Sequence, residues 1–466
     1  MTWSHPYDTW ILIIAVLCAV TCALPGCYLL LRRSSMMGDA ISHAVLPGLA
    51  GGFLLTAMLQ SNAWLAETFP ALSARFAGVD PRHPLIMLGG AAVVGVFTAL
   101  ASEWLSRVGR VERSAAMGVV FSIMFALGLI LIRLAADHVD LDASCVLYGA
   151  IELAPSDTWQ VAGVMLPRAV IVLGASLLLN LLFVVIFYKE LLISSFDPGL
   201  ATAQGISAKL MNSLLMVVVA VTSVAAFETV GSILVIAMLV VPGAAAHLLT
   251  DRLRVMLLLA AVLAAVMAGL GHISAIVVPS WFGFRETVVA GAIATAAGFV
   301  FVAVMFLAPQ HGLISRALRS ARHRAIVLED DLLGLLYRQV EHGVSHVERA
   351  ALINRAADAL ATSPRTIVRR LRSMNRQGLI AIDSTADTHA LVTLTQSGLA
   401  RSRDLVRSHR LWESYLVDQL GLRDDHVHRT AMDLEHVTDA AMQSDLAKKV
   451  LDPQRDPHGR TIPDNL

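Results

Sequence analysis

Nine apolar stretches of bilayer-spanning length recur in the first two thirds of this chain, at about residues 10–31, 39–59, 85–105, 115–134, 161–187, 210–227, 230–249, 255–278 and 287–308. A stretch of about 20 apolar residues crosses the hydrocarbon core as one helix. Lipid offers the backbone no hydrogen-bond partner, so the segments must satisfy their own N–H and C=O groups. These runs therefore predict an all-α polytopic membrane protein with about nine transmembrane helices. The sixth and seventh are joined only by "FETVGS", which suits either a tight hairpin or a broken helix. The N-terminus "MTWSHPYDTW" lacks a cationic region, and the run after it is long for a signal peptide, so the first stretch is expected to be a retained span.

The charge is unevenly spread. Of the 72 charged side chains, residues 1–309 hold 30 and residues 310–466 hold 42, about 10% and 27% of each part. The second figure is that of a soluble domain, and the part is long enough to bury a core. The expected organisation is a membrane domain over 1–309, a linker over 310–326 and a cytoplasmic unit beyond it. The four cysteines (Cys18, Cys22, Cys27, Cys145) fall in or beside apolar segments and read as small buried residues, not as a disulfide frame.

Cationic loops orient the spans. Arg32 and Arg33 follow the first span, and Arg107, Arg110 and Arg113 follow the third. Lys189 and Lys209 flank the loop after the fifth, "TDRLR" follows the seventh, and Arg316, Arg319, Arg322 and Arg324 follow the ninth. With an odd number of spans, all these loops share one side if the N-terminus is outside and the tail cytoplasmic. The opposite loop "AADHVDLDAS" is acidic.

Within "MMGDAISHAVLPGLAGGFLL", Asp39 and His43 are four residues apart and so share one face of a helix. Ionisable groups inside a membrane are costly and face a cavity or a partner. A carboxylate beside an imidazole suits Mn²⁺, Fe²⁺ or Zn²⁺. The plain alternative is a helix cap and an interhelical hydrogen bond.

The block "RRSSMMGDAISHAVLPGLAGGF" (32–53) resembles the signature of ABC-3 family permeases, the membrane subunits of manganese, zinc and iron import systems. The resemblance continues in order through "ERSAAMGVVFSIMFALGLILI", "DLDASCVLYGAI", "FDPGLATAQGIS" and "VGSILVIAMLVVPGAAAHLL". It implies that Asp39 and His43 hold the transported metal and that permeases pair, either as a homodimer or with a related chain. An extracytoplasmic metal-binding protein is implied as a further partner. It also implies that Phe196, Asp197, Gly199 and Gly205 belong to a segment that docks on an ATPase. No G-x-x-x-x-G-K-[ST] motif is present, so the ATPase would be a separate polypeptide. There is no H-E-x-x-H and no nucleophile with a base, which argues against an enzyme.

The tail reads as helix, helix-turn-helix and a two-stranded wing, a winged helix over 327–400 whose second helix carries Arg365, Arg369, Arg370, Arg372 and Arg376. Arg365, Arg369 and Arg370 are candidate DNA contacts, or else a solvated or lipid-facing surface. Residues 401–466, from "VRSHRLWESYLVDQLGL" through "HVHRTAMDLEHV" to "DPHGRTIP", resemble the metal-binding, dimerising region of diphtheria-toxin-repressor-type regulators. That likeness implies one metal site from His409, Glu413 and His428. It implies a second from Asp331, Met432, Glu435 and His436, with a thioether where the family often has Cys or Glu. The reading is a divalent-metal import permease with a metal-sensing tail; the alternative is a membrane-tethered, metal-dependent, DNA-binding regulator.

Overall fold

The structure is a computed structural model and describes residues 6–34, 46–61, 70, 78, 84–135, 151–161, 163–283, 287–383 and 390–464. The chain divides into two compact units, Met1–Arg316 and Ala317–Leu466.

The first unit is a bundle of helices: α1 (Tyr7–Leu31), α2 (Leu46–Ser61), α3 (Pro84–Val108), α4 (Arg113–Ala135), α5 (Arg168–Ile186), α6 (Tyr188–Phe196), α7 (Pro198–Ala203), α8 (Ala208–Val230), α9 (Ser232–Leu249), α10 (Leu253–Trp281) and α11 (Val289–Leu307). Among the described residues, eight are long and apolar enough to cross a membrane; α2, at 16 residues, is shorter. The start of the span expected at 39–59 lies outside the described residues, so the count of nine is neither reached nor refuted. The stretch expected to span from 161 is corrected in one respect. Its first residues form an antiparallel hairpin, β1 (Thr158–Val161) with β2 (Val164–Pro167), and the helix begins only at Arg168. "TWQVAGVMLP" is as apolar as a span, and hydropathy alone does not separate a short strand from helix.

α1 lies at the middle of the bundle, packed against α5, α8, α9 and α10. Lipid tails give no hydrophobic drive for helices to associate, so close backbone approach and polar contacts must hold them together. Both are present. A Cβ on Gly26 of α1 would sit 1.9 Å from the Leu239 carbonyl oxygen of α9, and one on Gly90 of α3 would sit 2.3 Å from that of Gly48 on α2. Buried Asn180 of α5 donates to the Thr21 carbonyl of α1 at 2.9 Å and accepts from Thr222 of α8 at 2.9 Å. Where α1 ends, the Arg32 guanidinium donates to Ser194, Ser195 and Asn212, and Asn212 donates to Glu103 at 2.6 Å. This network ties α1, α3, α6 and α8 together beside the short helix α7.

The second unit contains most of α12 (Leu313–Glu341), then β3 (Val347–Glu348), α13 (Arg349–Ala359), α14 (Pro364–Arg376), β4 (Ile380–Asp383), β5 (Leu391–Leu394), α15 (Gln396–Leu420), α16 (His428–Glu435) and α17 (Ala440–Lys449). The segment expected as a linker is helical from Leu313 onward. Ser363 caps α14 by accepting from the Thr366 N–H, and Pro364 occupies its first turn, where its missing N–H costs nothing. The three strands form an antiparallel sheet in the order β3-β5-β4. Leu332, Leu333, Leu336, Ile367, Leu371 and Val392 build one core under α12, α14 and the sheet. Leu411, Leu446, Val450 and Ile462 build a second, smaller one.

Candidate metal centres

The i, i+4 spacing of His409 and Glu413 puts both on the buried side of α15, a helix capped by Thr395 and closed by Gly421 in the left-handed region at φ 64°. A short turn at Asp424–His426 then returns the chain, and α16 starts at His428. His409 Nε2 lies 3.2 Å from Glu413 Oε1 and 2.9 Å from His428 Nδ1, and His428 Nδ1 lies 2.9 Å from Glu413 Oε1. His409 and Glu413 are 4% and 2% exposed, while the His428 side chain is half exposed. The group is therefore reachable from one side only.

At the other end of α16, Glu435 and His436 meet Asp331 of α12. His436 Nε2 is 3.4 Å from Asp331 Oδ1 and 3.9 Å from Glu435 Oε1. Neighbouring Asp330 approaches His436 Nδ1 at 3.7 Å and is held by Arg401 at 2.7 Å. Asp331 Oδ1 and His436 Nδ1 are buried without a hydrogen-bond partner, which is costly in a finished core. Three carboxylates and an imidazole, two of whose atoms lack a hydrogen bond, fit a divalent cation. Half-buried Met432 and Asp331 line a cleft of about 750 Å³ that also reaches Arg369 and Arg370.

Electrostatics follow from this packing. Burial alone would lower the His409 pKa, but hydrogen bonds to Glu413 and Glu435 raise it above the ordinary value. For His436, burial likewise works to lower the pKa, yet Asp330 and Asp331 push it up to about 10. Burial would raise the Glu413 pKa, but contacts with His409 and His428 hold it well below the usual carboxylate range.

Of the residues the sequence singles out in the tail, His409, Glu413 and His428 form one group and Asp331, Glu435 and His436 another. Others escaped sequence reasoning. His458 Nε2 stands 4.0 Å from Glu413 Oε1, beside the first group. It is placed there by buried Arg410, which binds Glu341 at 2.9 and 2.7 Å, faces Asp456 at 3.7 Å and reaches the Thr461 carbonyl. The signal was the "DPHG" turn itself, whose Asp456 accepts from the Arg460 N–H at 2.7 Å.

Asp39 and His43 lie outside the described residues. Phe196 is exposed at the end of α6, Asp197 caps α7 by accepting from the Leu200 N–H at 2.9 Å, Gly199 sits in the first turn of α7, and Gly205 closes the segment at φ +81°. On α14, Arg365 and Arg369 are exposed, whereas Arg370 turns inward to Glu329 at 3.6 Å.

Comparison with known proteins agrees with the helical membrane architecture. The sequence profile of the ABC 3 transport family matches residues 4–308. The chain belongs to the ABC 3 transport family. A second profile, "Iron dependent repressor, metal binding and dimerisation domain", matches residues 395–464, which carry five of the six clustered ligands. Among family members, the manganese transport system membrane protein MntD of Bacillus subtilis is 37% identical over 315 residues, 67% of this chain and 96% of the relative. The zinc transport system membrane protein TroD of Treponema pallidum is 37% identical over 393 residues, 84% of this chain and 96% of the relative. The solved structure of PsaBC from Streptococcus pneumoniae in complex with Fab covers 68% of this chain and 96% of its own at 29% identity, with a TM-score of 0.51. The protein is thus a multi-pass membrane member of this family, fused to a repressor-type metal-binding segment.

Proposed function

We propose that the chain is the membrane permease of an ATP-driven importer of divalent metal ions, Mn²⁺ or Fe²⁺ and by extension Zn²⁺, and that its tail senses the imported ion. Family membership over residues 4–308 carries the permease reading. The ion is substrate in the membrane domain, where Asp39 and His43 would receive it from an extracytoplasmic metal-binding protein. The permease works as a pair, with itself or with a related chain. A separate ATPase docks on the segment around Phe196, Asp197, Gly199 and Gly205. The charge pattern puts the N-terminus outside and the tail in the cytoplasm.

The tail reading rests on the two convergent groups. His409, Glu413 and His428 would hold one regulatory ion, and Asp331, Glu435 and His436, with Met432 at the margin, another. A bound divalent ion supplies positive charge that gathers carboxylates from α12, α15 and α16. The chain's own residues position those carboxylates: Arg401 steadies Asp330, and Arg410 fixes the C-terminal turn. Residues 327–400 make the winged helix and 401–466 the metal-binding, dimerising part. The exposed Arg365 and Arg369 on α14 favour a second reading, a membrane-tethered DNA-binding regulator. Salt-sensitive retention of duplex DNA by the full chain would support that one.

The permease reading is tested by uptake into vesicles holding the chain and its ATPase, with a panel of divalent ions. Asp39→Ala and His43→Ala are expected to abolish uptake while leaving the protein folded. Normal uptake by both would remove these residues from the path.

A further inference from the structure

Where α1 and α3 end and α8 begins, the membrane unit carries a cleft of about 370 Å³. Its described lining holds four cations, Arg32, Arg33, Arg107 and Lys209, against one carboxylate, Glu103. That carboxylate is already engaged: Arg107 pairs with it, Asn212 donates to it at 2.6 Å and Ser213 at 3.0 Å. Arg32 is engaged too, donating to Ser194 at 2.8 Å and to Asn212 at 3.1 Å, so it forms a fixed wall. Arg33 and Lys209 are exposed and add charge that Glu103 does not offset. Like charges gathered beside a low-dielectric bilayer repel one another, and an anion among them relieves that repulsion.

An apolar face runs up to this cleft. On α3, Val93, Phe97, Leu100, Trp104 and Val108 recur every three or four residues, so they share one side of the helix, and all are exposed. The cleft residues of the same helix, Glu103 and Arg107, stand one position before Trp104 and Val108, next to that face. Leu210, beside Lys209 on α8, is exposed as well. A tryptophan near the end of a span sits at the level of the lipid headgroups.

We propose that this cleft binds a phosphate group, supplied by the headgroup of an anionic phospholipid whose acyl chains lie along the apolar face of α3. Guanidinium and ammonium groups donate strongly to phosphate oxygens, and basic pockets between spans take anionic headgroups. A free phosphate ion would satisfy the cations alone. The apolar face that leads to them favours the lipid. The contact needs only the membrane unit and does not rest on the importer reading.

The test uses the full chain in detergent, stripped of lipid and then given equal amounts of phosphatidylglycerol and phosphatidylcholine. Native mass spectrometry counts what stays bound. Phosphatidylglycerol should be retained in preference. R33Q combined with K209Q should lower its retention by about tenfold or more. R110Q, at an exposed arginine in the turn after α3 and outside the cleft lining, should not. R33K combined with K209R should restore retention, which separates charge from a folding defect. An equal loss with R110Q would mean diffuse surface charge and overturns the proposal. Retention by single chains but not by pairs overturns it as well, because a second copy would then cover the apolar face. So does release of the lipid on adding the ATPase, which would give the cleft to a carboxylate of that partner. Equal retention of the two lipids rules out the lipid. If inorganic phosphate is then bound by the intact chain and not by the R33Q, K209Q variant, the free ion is the occupant; if it is not bound, the phosphate site itself falls.

Discussion

His409 Nδ1 lies 2.5 Å from Glu435 Oε2, while the other nitrogen of the same imidazole faces Glu413 and His428. One buried ring thus joins the two ligand groups, and Glu435 belongs to the far one. A cation in one group must compete with, or reorganise, a contact that orients the other. Partners that orient a metal ligand commonly carry much of its affinity.

The two groups should therefore answer together. Glu435→Gln is expected to weaken Mn²⁺ binding at both, by about tenfold or more at the His409 group, although Glu435 is not among that group's three ligands. Calorimetric titration of the full chain carrying Asp39→Ala and His43→Ala would show two binding steps from the tail, both shifted. A shift in one step alone would mean the imidazole does not couple them.

Protons and metal should compete in the tail. His409 and His436 carry raised pKa values, His436 about 10, and both must be neutral to ligate. Metal affinity should accordingly rise with pH between 6 and 8, about tenfold per unit for each proton displaced. Without metal the sign reverses. The His436 contribution is fully present below its ordinary value of 6.5 and fades as pH climbs towards about 10. Melting of the tail with and without Mn²⁺ across that range checks both signs.

Arg410→Ala should cost the tail about 3 kcal/mol or more, since it strands Asp456 and leaves Glu341 unpaired. It should also weaken metal at the His409 group by releasing the turn that carries His458. Arg410→Lys keeps the charge but loses the two-pronged contact with Glu341, and it should fall between the two.

Gly26→Leu should prevent stable folding of the membrane unit. Even the Cβ would overlap the Leu239 carbonyl, and backbone cannot yield as a side chain does. Gly174→Leu, where nothing lies within 4 Å of the new Cβ, should be tolerated. Detergent-solubilised yield and thermal melting separate the two.

The apolar runs were legible because a lipid solvent makes length and hydropathy nearly sufficient, and the eight long helices fall where the sequence placed them. His409 with Glu413 was legible because four residues make one helical turn. The hairpin at 158–167 was not, because its residues are as apolar as a span's. His458, Asp330 and Arg410 were not either. Their roles depend on segments more than 40 residues apart meeting in space, as Arg410 does with Asp456 and Glu341. The helical character of 313–326 was readable in principle: its Leu, Ala and Arg favour helix, and its apolar residues recur at helical spacing.

The central claim is that a permease carries its own sensor, and ATP-driven uptake into vesicles preloaded with Mn²⁺ tests it most directly. Coupling of about 1–3 kcal/mol predicts that internal Mn²⁺ slows uptake by the intact chain by about 5- to 150-fold at saturation. His409→Ala combined with Glu413→Ala should abolish that slowing while leaving uptake into empty vesicles unchanged. Equal slowing of the intact and substituted chains would contradict the account and leave the tail's metal groups without a part in transport.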